Sequence, residues 1–317
     1  MNTTEIAVVG LGGVGGYFGF KLAQHYAGTP VAVTYVARGA THDVVKERGL
    51  TLLSPEHPIS TVRPARLVEE VAQLSEAGVI LLCVKEYDLE AVCQALKPVM
   101  RPEVVVLPLM NGVDIYERIR RVLPTGIVLP ACVYVASHLQ QKGVVEHKGN
   151  SGRIILGNDP EHPQFAPERI VDLLAAAGIQ VAYQADAFPA IWTKFMFFAS
   201  FGLVSARYNQ PIGQIAADPH LHERARRIMQ EIVAIAHRKG YGLPADIIEQ
   251  TFQKARTFPF HTPTSLQLDV HSGRPRTELA LFAGAIVAYG NTLGIPTEET
   301  SRIQAEILEV LAQKPTA

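Results

Sequence analysis

The chain has 317 residues, enough for one large core or, closer to ordinary domain size, two domains. Hydrophobic residues make up 48%, charged residues 19%, and the formal net charge is −1. That is a soluble globular composition, with no electrostatic drive toward nucleic acid or an anionic membrane.

The start, MNTTEIAVVGLGG, has no basic residue ahead of its apolar run and does not read as a signal peptide. EIAVVG (5–10), VAVTYVA (31–37), GVILLCVK (78–85) and VVVLPLMN (104–111) are predicted as buried strands. The intervening stretches 14–28 and 86–99 have helix length and period, so a parallel, doubly wound sheet is expected. From 127 to 184 the pattern is richer in strands, with a helix over 165–177, and is expected to form the edge of the same domain. After Asp186 only helices are predicted, over 187–206, 219–239, 244–255 and 278–293, punctuated by Pro211, Pro219, Pro244, Pro259 and Pro263. The expected division is 1–185 and 186–317. The basic runs ERIRRV (117–122) and ERARRI (223–228) are expected on solvated helix faces.

Cys83, Cys93 and Cys132 are odd in number and form no CxxC pair, which predicts reduced thiols and a cytoplasmic protein. The longest apolar stretch after Lys194 falls far short of the roughly 20 residues that span a bilayer. His220 and His222 are two apart, unsuited to one helix face. No HExxH, GxSxG or Walker sequence occurs, so neither a metal nor a hydrolase or phosphotransferase site is expected.

Gly10, Gly12 and Gly15 have GxGxxG spacing where a strand gives way to a helix. In that context Gly10 permits the turn, Gly12 lets a diphosphate reach the backbone, and Gly15 lets helix and sheet approach. Leu11, Gly13 and Val14 complete the loop. At the end of the second strand stands Arg38, and residues 31–40 contain no Asp or Glu. A guanidinium there suits the 2′-phosphate of NADP, so NADPH is the expected cofactor. Lys85 and Asn111 stand at the carboxyl ends of two further strands, where such sheets present groups to ligands; Asn111-Gly112 is also a common turn pair.

Lys194 lies in IWTKFMFFASFGLVSA (191–206), a stretch otherwise aromatic, aliphatic or small apart from threonine and serine. On a helix it shares a face with Phe198 and Phe201/Gly202. Its ammonium either reaches solvent along its stem or acts as a general acid for a carbonyl receiving hydride, with Glu278 as a carboxylate partner.

Together Gly10/Gly12/Gly15, Arg38, Lys85, Asn111, Lys194, TSLQLD (264–269) and GRPRTE (273–278) resemble the ketopantoate reductase family over essentially the whole chain. The resemblance implies an α/β Rossmann-type N-terminal domain and an all-α C-terminal domain like that of 6-phosphogluconate dehydrogenase. It implies NADPH-dependent reduction of 2-dehydropantoate to pantoate in pantothenate biosynthesis. It further implies Lys194 as general acid, Asn111 on the substrate and nicotinamide side, and Ser265 at the substrate carboxylate. Glu278 is implied near the nicotinamide ribose, and Arg38, Lys85 and Ala136 as cofactor contacts. A homodimer or a monomer is compatible with it.

The chain departs from the family pattern at substrate positions. Phe198 and Gly202 stand four and eight residues after the lysine, where the family carries asparagines, and Ile212 replaces a further polar residue. The Ser265–Glu278 interval is one residue longer. Apolar pockets discriminate weakly against hydroxyl-bearing ligands. The departures therefore open a second reading, a more apolar or aromatic 2-oxo acid on the same scaffold. A third, of another class, is a module that binds NADPH and reports redox state.

Overall fold

The structure, a computed structural model, describes residues 4–272 and 276–313. Residues 1–3 of the opening run and Gly273, Arg274 and Pro275 of GRPRTE lie outside the described residues. The chain divides into two compact units, Met1–Phe188 and Pro189–Ala317.

The first unit begins with β1 (Thr4–Val9), α1 (Gly13–Tyr26), β2 (Val31–Val36) and α2 (Gly39–Arg48). It continues through β3 (Leu50–Ser54), β4 (His57–Val62), β5 (Arg66–Val68), β6 (Ala77–Leu82) and α3 (Leu89–Leu96). Then come β7 (Val105–Pro108), α4 (Ile115–Val122), β8 (Ile127–Val128), β9 (Ala131–Gln141), β10 (Val144–Leu156), α5 (Glu168–Ala176) and β11 (Gln180–Tyr183). Six strands form a wholly parallel sheet in the order β5-β2-β1-β6-β7-β8. Counted within that sheet the order is 3-2-1-4-5-6, the Rossmann arrangement. Ile6–Val9 are buried throughout, which is why this central strand carries an unbroken apolar run rather than an alternating one.

The strand-rich stretch after residue 127 does not simply extend that sheet. Only β8 joins it; β9, β10 and β11 combine with β3 and β4 in a second sheet. β9 and β10 form a long antiparallel hairpin, while β11 and β3 run parallel to β10 at successive places along it. Helix α1 is packed by both sheets. A Cβ at Gly15 would meet Cys83 of the parallel sheet at 2.8 Å, and one at Gly16 would meet Val145 of the second sheet at 2.3 Å. Bulk on either side of this helix would push a sheet away, so glycine fills both faces.

The second unit is helical; no strand follows β11 among the described residues. α6 (Phe188–Tyr208) leads into it, followed by α7 (Ile212–Ala217), α8 (Pro219–Arg238), α9 (Ile247–Ala255) and α10 (Ser265–His271). A π-helical stretch (Ala280–Gly284) runs into α11 (Ala285–Leu293), and α12 (Glu298–Ala312) closes the described chain. α8 starts where the sequence predicts, with Pro219 in its first turn and Asp218 accepting from the backbone N–H groups of His220 and Leu221. By length and composition α6 could cross a membrane, yet most of it is buried inside the protein, as the core helix of a globular unit is.

The basic runs are a correction to the sequence reading. Arg120 of the first run and Arg224 of the second are both buried and paired. Arg120 binds Asp159 and the Gly126 carbonyl, and Asp159 also accepts from the Val128 N–H and the Tyr116 hydroxyl. Burial alone would raise the Asp159 carboxyl, but the hydrogen bonds from Tyr116, Val128 and His162 and the Arg120 charge hold it below the usual carboxylate range. Arg224 pairs with Glu299 and Glu306 on α12. The partners lie 39 to 82 residues away in sequence, beyond any helix-face argument.

Candidate active site

The glycine loop links β1 to α1. Gly10 has φ +95°, in the left-handed region, and a Cβ there would lie 2.9 Å from the Cys83 carbonyl oxygen. Gly12 caps α1, no side chain satisfies the first N–H groups of that helix, and a Cβ at Gly12 would meet nothing within 4 Å. A Cβ at Gly15 would stand 1.9 Å from the Gly10 carbonyl oxygen. The loop thus has open space in front of an uncapped helix N-terminus and tight contact behind it. An anion fits that arrangement.

Beside the loop lies a cavity of about 500 Å³, lined by Gly10, Leu11 and Gly12, by Arg38 after β2, and by residues following β5 and β6. Val36, Val84 and Val92 give it apolar walls, while the exposed Arg38 and the half-buried Thr41 add polar groups. Glu69 and Glu70 also line it. The Glu70 side chain is engaged in capping the short 3-10 turn that follows, and Glu69 lies 3.9 Å from His42 Nδ1. Apolar walls for a base, a guanidinium for a phosphate and an open helix N-terminus for a diphosphate suit a phosphorylated dinucleotide.

Gly13 and Val14 begin α1, and Ala136 lies on β9 opposite Lys148. Lys85 is exposed, just past the carboxyl end of β6; Asn111 is half-buried, just past the end of β7. The strands therefore deliver these residues and the glycine loop to one edge of the parallel sheet. Asp114, three residues after Asn111, is 3.9 Å from Arg118, which binds Glu86 next to Lys85 at 2.8 Å. Burial pushes the Asp114 carboxyl up.

In the second unit Lys194 is buried on α6, with Nζ 5.5 Å from the Phe198 ring centroid. The ring face offers the ammonium electrostatic stabilisation. Gly202, two turns on from Lys194, is buried against α10, where a Cβ would sit 3.7 Å from the Leu266 Cβ. Ser265 is exposed at the start of α10, a helix fixed by the capping box of Thr264 and Gln267. Gln267 also receives the Ser205 hydroxyl and donates to Asn209, tying α10 to the end of α6. Ile212 and Glu278 are buried, Glu278 just ahead of the π-helical stretch.

Sequence reasoning missed Thr41, Glu69, Glu70 and Leu139 as cavity residues. Three-residue β5 is too short to give a periodic signal, and Leu139 reaches the cavity from the second sheet. Cys83, Cys93 and Cys132 are all buried, and burial pushes the Cys93 thiol up to about 12. Among the described residues no three His, Cys, Asp or Glu side chains gather as a metal site would require.

Comparison with known proteins identifies the family. The family model "Ketopantoate reductase PanE/ApbA" matches residues 6–161, and its C-terminal counterpart matches 186–310. The uncharacterized oxidoreductase YkpB of Bacillus subtilis is 25% identical over 98% of this chain and 100% of its own. A 2-dehydropantoate 2-reductase of Mesorhizobium japonicum is 24% identical, covering 98% of each. The crystal structure of a PanE/ApbA family ketopantoate reductase from Ralstonia eutropha JMP134 superposes with TM-score 0.87 at 26% identity, over 98% of this chain and 99% of that one. D-mandelate dehydrogenase with NADH and anilino(oxo)acetate, at 19% identity and TM-score 0.84 over 98% and 99%, shares the fold. The chain belongs to the ketopantoate reductase family, NADPH-dependent oxidoreductases that act on 2-oxo acids.

Proposed function

We propose that the protein reduces 2-dehydropantoate to pantoate, with residues 1–185 holding NADPH and residues 186–317 supplying the general acid and substrate groups. The observation that carries this reading is Lys194, an ammonium buried in an apolar helix and braced by the Phe198 ring. NADPH, when bound, would supply the hydride for the 2-oxo carbon. Lys194 Nζ donates a proton to the oxygen as charge develops there, and its positive charge stabilises that oxygen. Asn111 and Ser265 orient the substrate, the latter at its carboxylate. Glu278 positions the lysine or the nicotinamide ribose. Arg38 receives the 2′-phosphate, Lys85 and Ala136 add cofactor contacts, and the Gly10–Gly15 loop receives the diphosphate. The buried, reduced thiols support a cytoplasmic setting.

A specific observation favours a second reading, in which the acceptor is a bulkier, more apolar 2-oxo acid. Phe198, Gly202 and Ile212 offer no hydrogen-bonding side chain, and Leu266 stands against Gly202. Following NADPH oxidation with 2-dehydropantoate, a branched 2-oxo acid and an aromatic one separates the two. Fast turnover of 2-dehydropantoate supports the first reading. A clear preference for an apolar acid replaces it with the second. NADPH binding without oxidation by any of them would turn the assignment toward redox sensing.

A further inference from the structure

Strand β9 passes directly over the start of α1. A Cβ at Gly13 would lie 2.3 Å from the Ser137 carbonyl oxygen and 2.8 Å from the His138 Cα, so the hairpin rests on the first residue of the helix. Two residues further on, Leu139 lines the cavity next to Gly10, Leu11 and Gly12. Side chains two apart on a strand share a face, so Ser137 lies on the face that Leu139 presents to the cavity. Its Oγ is buried and makes no hydrogen bond. Buried hydroxyls are satisfied in the great majority of cases, and an unmade bond there favours a partner that arrives with a ligand.

We propose that the Ser137 hydroxyl is a ligand for the diphosphate of the dinucleotide, donating to a phosphate oxygen from the hairpin side while the α1 N-terminus serves it from the loop side. The second sheet then takes part in cofactor recognition, and Leu139 closes the cavity wall on the same strand. This rests on the NADPH reading above.

The test is equilibrium binding rather than turnover, following intrinsic NADPH fluorescence for the purified wild-type chain and for Ser137→Ala and Ser137→Thr. Competition by adenosine 2′-monophosphate, which lacks the diphosphate, provides the comparison. Loss of one hydrogen bond to a charged oxygen should weaken NADPH about tenfold in Ser137→Ala. Adenosine 2′-monophosphate should bind as before, and Ser137→Thr should retain wild-type affinity. Unchanged NADPH affinity in the alanine variant overturns the proposal. Equal weakening of both ligands also overturns it, since the residue would then only support the hairpin. If the alanine variant fails to fold, Ser137→Cys, close in size and a weak donor, carries the same comparison. Failure of the wild type to bind NADPH would instead strike the cofactor reading.

Discussion

Lys194 and Phe198, one helical turn apart, form a cation–π pair with the ammonium 5.5 Å from the ring centroid. The pair sets the charge of the proposed general acid against an apolar surface, at a position where the family resemblance implies an amide. Lys194→Ala should lower kcat by about 10²- to 10⁴-fold. The NADPH dissociation constant should stay within about twofold, because the cavity residues are untouched. Stopped-flow reduction alongside fluorescence titration separates these two quantities.

Phe198→Asn places a hydrogen-bonding group next to the lysine. We expect the ratio of kcat/KM for 2-dehydropantoate over an aromatic 2-oxo acid to rise by about tenfold or more. A ratio that does not move would remove Phe198 from substrate selection. Gly202→Asn is a harsher change, since it adds a polar side chain at a buried position whose Cβ would already touch Leu266. It should destabilise the fold by about 1–3 kcal/mol, measured by denaturant titration.

Arg38→Ala should weaken NADPH by about 10- to 100-fold and leave NADH nearly unaffected, because only the former carries the 2′-phosphate. Calorimetric titration with both cofactors measures the difference. Equal losses would show that the guanidinium serves the cavity wall rather than the phosphate.

The Asp159 carboxyl is held below its usual range, so its contribution to stability is full above the unfolded-state pKa and is lost as pH falls through the folded-state value. Asp159→Asn leaves Arg120 buried opposite a neutral group and should cost about 3 kcal/mol near pH 7. The gap between variant and wild type should close on acidification below pH 4. Urea unfolding from pH 3 to 8 checks both the size and the sign.

Gly13→Ala drives a methyl into the Ser137 carbonyl and must lift the hairpin or shift the helix. A drop in melting temperature together with weaker NADPH binding is expected. Unaltered binding would show that the loop tolerates displacement of β9.

β1, β2, β6 and β7 of the parallel sheet were legible because buried parallel strands read as near-continuous apolar runs, and the glycine loop because its context is local; the short edge strand β5 was not. The second sheet was not. β3 and β4 are half-polar strands with no distinctive run; β4 pairs with β3, and β3 in turn pairs with a hairpin about 90 residues further along. The buried arginines escaped for a related reason: ERIRRV shows its charge, but Asp159 lies too far along the chain to be matched by eye. Of the candidate site, Arg38 and the glycines were placed by position alone. Thr41, Glu69 and Leu139 came from segments whose approach depends on tertiary packing.

The π-helical stretch Ala280–Gly284 separates Glu278 from α11. Such a turn accommodates one residue more than α-helical winding, so the segment carries a surplus residue. Removing a single residue there would let the segment relax into plain α-helix and swing Glu278 by roughly 100° about the axis relative to α11. Substitutions cannot produce that rotation. A lineage could therefore re-aim this glutamate through a one-codon deletion, leaving every side chain around it unaltered.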